Sequence, residues 1–332
     1  MKAQVLKNIA PIEDKPLQFL EVPIPQPKDG EIQVKISVCG VCHTELDEIE
    51  GRLFTKLPVI PGHQIVGRVT GIGPGANRFK SGDRVGIAWI NSACGKCRFC
   101  REGNENLCLD FKGTGCQTDG GYAEYAVISE KFAYPIPERF TDSQTAPLLC
   151  AGAIGYRDLK LSGMKRGRIL GLYGFGASAH IVIQIAKYRG CQVFVFTRSE
   201  EHRRMAKELG ADWAGNAEDK PPQKINYAID FTPVGETVPL ALSALGKGGR
   251  LVIAVIRKST LIPPMDYTQL LWDEKEIKSV ANITRKDAEE FLSLAAKIPI
   301  VTEIQEFNLS QANEALRLLK QGKIRGAAVL RI

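Results

Sequence analysis

Through its first half the chain alternates. Ile32-Gln-Val-Lys-Ile-Ser-Val38, Ile65-Val-Gly-Arg-Val-Thr-Gly71 and Arg84-Val-Gly-Ile-Ala88 are short runs rich in Val and Ile, punctuated by Gly and Pro. Successive strand side chains face opposite sides of a sheet, so this alternation predicts half-buried antiparallel strands and a barrel-like half. Near residue 152 the style changes. Ile169–Tyr173 is a short apolar run, Phe175–Tyr188 has helical spacing, Gln192–Phe196 is the next strand, and a charged helix runs on to Leu209. Tyr227–Asp230 and Arg250–Val255 add further strands. Strands alternating with helices predict a parallel doubly wound sheet, and with it an α/β fold class. The chain ends in an amphipathic helix over Leu309–Lys320, with Ser310 as its N-cap. No repeat or low-complexity tract interrupts these segments.

Composition leaves that picture standing and removes several functions. With 332 residues the chain is long enough for two domains, each with its own core. The formal charge of +7 arises from 44 basic and 37 acidic residues spread along the sequence, and the densest stretch, Glu200-Glu-His-Arg-Arg204, mixes both signs. Nucleic-acid binding needs a clustered basic stripe, so no nucleic-acid partner is expected. No run approaches the roughly 20 apolar residues of a membrane span. The N-terminus Met1-Lys-Ala-Gln-Val5 has no apolar signal core. The expectation is a cytoplasmic protein without a membrane partner, whose nine cysteines are reduced thiols.

Gly174-Phe175-Gly176-Ala177-Ser178-Ala179 follows a predicted strand and opens a predicted helix, the context that gives a G-x-G-x-x-A run its meaning as a dinucleotide turn. The third position needs only a small side chain for helix–strand packing, which Ala179 supplies. Backbone N–H groups and the helix dipole would receive the pyrophosphate. A purely structural turn is the alternative. An NAD site places Asp or Glu at the end of the next strand, about 20 residues on, to accept from the ribose 2′-hydroxyl. Here stand Thr197-Arg198-Ser199, with Arg203 one turn later. A carboxylate would repel a 2′-phosphate, whereas a hydroxyl and a guanidinium bind one, which favours NADP(H), with NAD(H) as the alternative. In the bland reading, Arg198 is a solvated helix-start residue that stacks on adenine.

Cys94-Gly-Lys-Cys97-Arg-Phe-Cys100 and Cys108 have the spacing C-x2-C-x2-C-x7-C. Such a knuckle wraps one tetrahedral ion in four thiolates about 2.3 Å from the metal. An oxidising compartment would allow disulfides instead, but cysteines this crowded fit a cage better than long-range staples. A filled cage leaves no coordination position open, so chemistry needs a second site. Cys42, His63 and Cys150 are the remaining candidates: two thiolates and an imidazole suit zinc and leave a fourth position for water or substrate. From spacing alone, His63 reads more readily as a structural histidine and Cys150, beside Leu148 and Leu149, as core. Cys39-Gly-Val-Cys42-His43 also has the C-x-x-C-H form of a haem attachment site, which normally needs export that the N-terminus does not signal. Cys39, Cys116 and Cys191 fit small apolar core positions.

The ordered set is Cys42-His43-Thr44, Gly62-His63, Trp89, the four-cysteine run, Gly120-Gly-Tyr-Ala-Glu-Tyr125, Cys150-Ala-Gly152 and Gly174-Phe-Gly176. It resembles the zinc-dependent alcohol dehydrogenases of the medium-chain dehydrogenase/reductase superfamily over essentially the whole chain. The resemblance implies a GroES-like β-barrel catalytic domain over 1–152 and about 296–332, and a Rossmann dinucleotide-binding domain over about 153–295. It implies reversible hydride transfer between an alcohol (aldehyde or ketone) and a nicotinamide cofactor, two zinc ions per subunit, and a homodimer or homotetramer. Cys42, His63 and Cys150 would hold the catalytic zinc, and Cys94, Cys97, Cys100 and Cys108 the structural one; alcohol dehydrogenase is itself the standard example of a catalytic zinc on two Cys and one His. Thr44 would take the proton of the alcohol, His43 would lie near the pyrophosphate, Glu45 would orient His63, and Trp89 would line the substrate pocket.

Three positions depart from the family pattern: Gln64 stands where many relatives have Glu, Asp47 where many have the His that ends a proton relay, and Ile154 where many have Thr. Asp47 is then either the terminal base or a surface carboxylate, with the relay running directly to water. Within the enzyme class the alternative is a polyol or sugar dehydrogenase. Outside it stand a non-catalytic zinc-binding regulator and a thiol-based redox sensor on Cys39 and Cys42.

Overall fold

The long strand Glu31–Val41 organises the first half, because its alternation gives it one face for a core and two edges for partners. In the computed structural model, which describes residues 1–332, it pairs antiparallel with Gln64–Ile72, Tyr125–Ser129 and Ala327–Arg331. The sheet as a whole has seven strands, ordered Ile304–Asn308, Ala327–Arg331, Glu31–Val41, Gln64–Ile72, Arg84–Ile87, Ala133–Pro135, with Tyr125–Ser129 branching from Glu31–Val41. Ile32, Val34 and Ile36 are buried while Lys35 is exposed. Each fully buried aliphatic side chain of this kind contributes about 1.5–3 kcal/mol relative to exposure. A register shift between Ile36 and Val38 ends the alternation, and from Val38 to Val41 both faces are covered. That covered end delivers Cys42.

From Ile169 onward the period changes and the topology with it. Six parallel strands stand in the order Trp213–Gly215, Gln192–Phe196, Ile169–Tyr173, Ile225–Asp230, Leu245–Ile253, Glu276–Ser279. Ile169–Tyr173 is buried along its whole length, as a central strand covered on both faces must be. The chain winds outward from it to Trp213–Gly215, then returns to Ile225–Asp230 on its other side. This reversal puts a topological switch point between those two strands, the place where open parallel sheets bind ligands. Tyr173 and Phe196 stack at 4.2 Å beneath the carboxyl ends of the strands, with Trp213 beside Phe196 at 5.0 Å.

The chain divides into two units, Met1–Cys150 with Ile283–Ala296 and Val301–Ile332, and Ala151–Asn282 with Lys297–Ile300. The return to the first unit, expected at about 296, begins at Ile283. The helix Arg285–Lys297 belongs there because it is bonded there: Arg285 to Glu105, Glu289 to Arg78 and the Ala296 carbonyl to Arg139. The helix expected over Phe175–Tyr188 starts only at Ala179, since Gly174 to Ser178 stay in the turn. Strand Leu245–Ile253 starts earlier and stops sooner than Arg250–Val255. The last helix is Ala312–Lys320, preceded by a tight turn over Leu309–Gln311. Ser310 lies inside that turn and Gln311 takes the N-cap position of the helix; the turn itself is capped by Asn308, whose N–H donates to Gln311 Oε1 at 2.8 Å. No helix is long and apolar enough to cross a membrane.

Candidate active site

Cys42 ends the covered strand and stands as N-cap of the helix His43–Ile49. Its N–H donates to Glu45 Oε2 at 2.7 Å, and the other oxygen of the same buried carboxylate approaches His63 Nδ1 at 2.6 Å. One Glu therefore closes the helix start and turns the imidazole, leaving Nε2 to face the thiols. His63 follows Gly62, whose φ is +98°. A Cβ at Gly62 would stand 2.4 Å from the Tyr122 ring, so only glycine lets the chain turn here and seat His63 at the head of Gln64–Ile72. Cys150 comes off a tight turn over Ala146–Leu149, and its Sγ lies 3.2 Å from His63 Nε2.

The ligand atoms of Cys42, His63 and Cys150 all lie within 4.8 Å of one another. A tetrahedral zinc with sulfur at about 2.3 Å and nitrogen at about 2.1 Å holds neighbouring ligand atoms roughly 3.6 Å apart, which this group can meet. The electrostatics point the same way. A hydrogen bond from Cys150, with His63 beside it, holds the Cys42 thiol well below its usual range, and the same bond pushes Cys150 well up. Burial opposes charge on His63, but the Glu45 carboxylate and Cys42 hold its pKa well above the ordinary value. A thiolate beside an imidazolium is a donor set in which a divalent ion can replace a proton.

Around this triad the expected residues take distinct places. Thr44 is buried, with Oγ1 at 3.5 Å from Cys42 Sγ. His43 is exposed at the start of the same helix. Asp47 is half-buried and accepts from Arg52 Nε at 2.5 Å, while its carbonyl accepts from the N–H groups of Arg52 and Leu53. Gln64 is buried against Gly40, where the missing side chain makes room for it. Ile154 sits on the helix Ala151–Ser162 of the second unit. The Trp89 ring lies 6.2 Å from His63, and Phe111 meets it edge-on at 5.7 Å. Phe111, with the exposed Phe54 and Leu109, lines a shallow cavity. None of those three belongs to a motif, and no local signal marks them. Cys39, Cys116 and Cys191 are buried, and burial pushes the Cys116 thiol up to about 12.

The knuckle forms a second cluster, with the ligand atoms of Cys94, Cys97, Cys100 and Cys108 also within 4.8 Å of one another. The Cys94 and Cys100 sulfurs are 3.9 Å apart, close to the roughly 3.8 Å edge of a tetrahedral zinc–thiolate cage. The N–H groups of Lys96 and Cys97 bring the Cys94 thiol down to about 6, whereas burial pushes Cys100 up to about 12. Buried Glu105, inside the knuckle, accepts from Arg285 N and Nε at 2.9 Å each.

In the second unit Gly174 has φ +81° and packs against Thr232, which a Cβ would meet at 3.2 Å. Phe175 and Ala179 are buried. A Cβ at the exposed Gly176 would meet nothing within 4 Å, so the turn has the open face on which a pyrophosphate can lie against backbone N–H groups, with Ala177 and Ser178 partly exposed beside it. Thr197 is buried, and its carbonyl accepts from Arg203 Nη1 at 2.8 Å; the same nitrogen donates to Asn216 Oδ1 at 2.9 Å. Ser199 Oγ caps the helix Glu200–Glu208 by accepting from the His202 N–H at 3.3 Å. Arg203 thus braces the turn, and Arg198 is the exposed cation at the strand end.

Residues 28–138 match the alcohol dehydrogenase GroES-like domain, and residues 179–297 match the zinc-binding dehydrogenase family. The chain is 44% identical over 338 residues to a probable alcohol dehydrogenase, AdhA, of Mycobacterium tuberculosis, covering 100% of this chain and 97% of the relative. It is 36% identical to an alcohol dehydrogenase of Geobacillus stearothermophilus, covering 100% and 99%. Among solved structures, a cinnamyl alcohol dehydrogenase of Sorghum bicolor superimposes with a TM-score of 0.90 at 26% identity, over 99% of this chain and 97% of that one. A thermostable alcohol dehydrogenase of Pyrobaculum aerophilum shares the fold with a TM-score of 0.90 at 24% identity, covering 100% and 99%.

Proposed function

Because the chain belongs to the zinc-dependent alcohol dehydrogenases of the medium-chain dehydrogenase/reductase superfamily, oxidoreductases that act on CH–OH groups, we propose that Cys42, His63 and Cys150 hold its catalytic zinc and that Thr44 takes the alcohol's proton. One arrangement carries this reading: three ligand atoms gathered within 4.8 Å, with the Thr44 hydroxyl 3.5 Å from one of them. A zinc held there would supply Lewis acidity that lowers the pKa of an alcohol, and a nicotinamide cofactor would supply the hydride acceptor. The Thr44 hydroxyl accepts the alcohol's proton as it passes its own onward. Asp47, three residues along the same helix face, is the terminal base, its carboxylate held in place by Arg52. Glu45 fixes the ring of His63, and Gln64 fills the space left by Gly40 on the neighbouring strand. His43 contacts the pyrophosphate, and Trp89 shapes the substrate pocket. Running the reaction backward, the same hydroxyl returns a proton to the carbonyl oxygen.

Cys94, Cys97, Cys100 and Cys108 hold a second, structural zinc. The dinucleotide lies on Gly174–Ala179, and the exposed Arg198 between Thr197 and Ser199, with no carboxylate there, supports NADP(H) over NAD(H). The enzyme is cytoplasmic and a homodimer or homotetramer; the exposed edge strand Glu276–Ser279, with Tyr267 and Trp272 exposed near it in the sequence, supports self-association. Metal analysis combined with a panel of primary, secondary and aromatic alcohols, assayed with both dinucleotides, tests the reading. Two zinc ions per chain are expected, with kcat/KM about tenfold or more higher for the phosphorylated dinucleotide. Cys42→Ser should lose one zinc and all turnover while keeping the other zinc. Full turnover in that variant would remove the triad from the mechanism, and a preference for NAD would overturn the cofactor assignment.

A further inference from the structure

At the carboxyl end of the strand Ile225–Asp230, Asp230 is completely buried and stands in register between Tyr173 and Ile253. It lies on the switch-point side of the sheet, one residue short of the backbone that packs against Gly174. A carboxylate this deep needs donors, and it has four: the Thr232 N–H at 2.9 Å, Thr232 Oγ1 at 2.7 Å, Thr237 Oγ1 at 2.7 Å and Lys258 Nζ at 2.6 Å. The lysine comes from the loop that follows the next strand, and its side chain is only 12% exposed. Its ammonium also donates to the Thr232 carbonyl at 2.8 Å.

The residues after Lys258 continue the seam. Ser259 donates through N and Oγ to the Pro233 carbonyl. Thr260 Oγ1 accepts from the Gly235 N–H and donates to Glu236 Oε2, both at 2.7 Å. Loop 258–260 is therefore laced, residue by residue, onto loop 230–236. Both loops leave the carboxyl ends of parallel strands on the side of the switch point away from the Gly174 turn. With the pyrophosphate on that turn, a dinucleotide's second half extends over these loops.

We propose that Lys258 is a positioning residue: its buried ion pair with Asp230 locks the two loops into the wall on which the nicotinamide half of the cofactor rests. The inference rests on the reading that this unit binds a nicotinamide dinucleotide. Lys258 touches no reacting atom in this scheme; it sets the shape of the wall before the cofactor arrives, so that binding does not have to order the loops.

Lys258→Met keeps the length of the side chain and leaves Asp230 three hydrogen-bond donors, so the sheet can still form. The experiment measures dinucleotide dissociation constants by protein fluorescence quenching, limited proteolysis of the 254–262 segment with and without dinucleotide, and kcat and KM for alcohol at saturating dinucleotide. The expected result is a dissociation constant about tenfold higher or more, faster cleavage at 254–262 that dinucleotide suppresses, and an unchanged KM for alcohol. Thr260→Val, which unlaces the same seam without touching the buried charge, should move the same readouts in the same direction by a smaller factor, and it decides the matter if Lys258→Met does not fold. Parental dissociation constants in the folded variants, even with lowered thermal stability, would overturn the proposal and leave Lys258 a stabilising residue only. Failure of the unsubstituted enzyme to bind either dinucleotide would instead overturn the functional reading beneath it.

Discussion

A single carboxylate, that of Glu45, joins the start of a helix to the orientation of His63, the histidine proposed as a metal ligand. Two residues on, Asp47 faces a different demand, because Arg52 already occupies it. A carboxylate held in one place by a guanidinium is a fixed acceptor, which is what the end of a relay requires. Asp47→Asn should then lower kcat for alcohol oxidation about tenfold or more and shift the pH profile of kcat, with zinc content unchanged. A parental profile would make Asp47 a holder of the 51–53 turn and send the relay from Thr44 to water. At this scale the sequence was informative about residue type but silent about pairing: nothing near Asp47 in the chain distinguishes a relay base from a salt-bridge partner.

The helix His43–Ile49 must not move if its first residues are to serve the metal, and its far end is fastened. Glu50 accepts from the Ile12 N–H at 3.1 Å, from Lys320 Nζ at 2.8 Å, and from Arg52. This ties the ligand helix to the last turn of Ala312–Lys320. Burial works against the Glu50 charge, but Lys320, the Ile12 N–H and Arg52 outweigh it and bring its pKa to about 2 from an ordinary 4.5. The folded value lies below the unfolded one, so the link's stability is fully present above about pH 4.5 and is lost as pH falls toward 2. Glu50→Gln should lower neutral-pH stability by about 1 kcal/mol, as partly screened charge networks do. Denaturant titrations from pH 7 to 2 should show the two proteins converging at the acid end; a constant difference across that range would contradict the ionic origin of the link.

For the whole molecule, the knuckle acts as a fastener for distant chain. Glu105, between Cys100 and Cys108 in the chain, receives the start of the helix Arg285–Lys297, and the Arg285 guanidinium covers the Phe132 ring at 4.9 Å. If the four cysteines hold a zinc as proposed, removing it should loosen Glu105 and with it a helix that returns from late in the chain. Cys97→Ser is expected to lose one zinc, to speed proteolysis within 94–111, and to lower Tm by about 5 °C or more, while the zinc at Cys42, His63 and Cys150 and the initial kcat are kept. Loss of both zinc ions, or a fall in kcat without faster proteolysis, would argue that the knuckle serves the chemistry more directly.

Whatever depends on near neighbours along the chain could be read from the order of residues alone. Alternation marked the strand Glu31–Val41, and the change of period at Ile169 marked the parallel sheet. The gathering of the knuckle cysteines was legible, because four sulfurs from Cys94 to Cys108 need only a short loop to meet. The glycine turn was legible too, since its requirement is a local φ that only glycine meets easily. The open triad was suggested by residue type and named through resemblance, but His63 and Cys150 are 87 residues apart and only the folded chain brings them to 3.2 Å. Lys258 and Asp230, 28 residues apart, one on the loop after a strand and the other at the end of the neighbouring strand, carried no sequence signal. Which side chains meet across such separations is set by sheet order and register, and those are decided by the burial of the whole core.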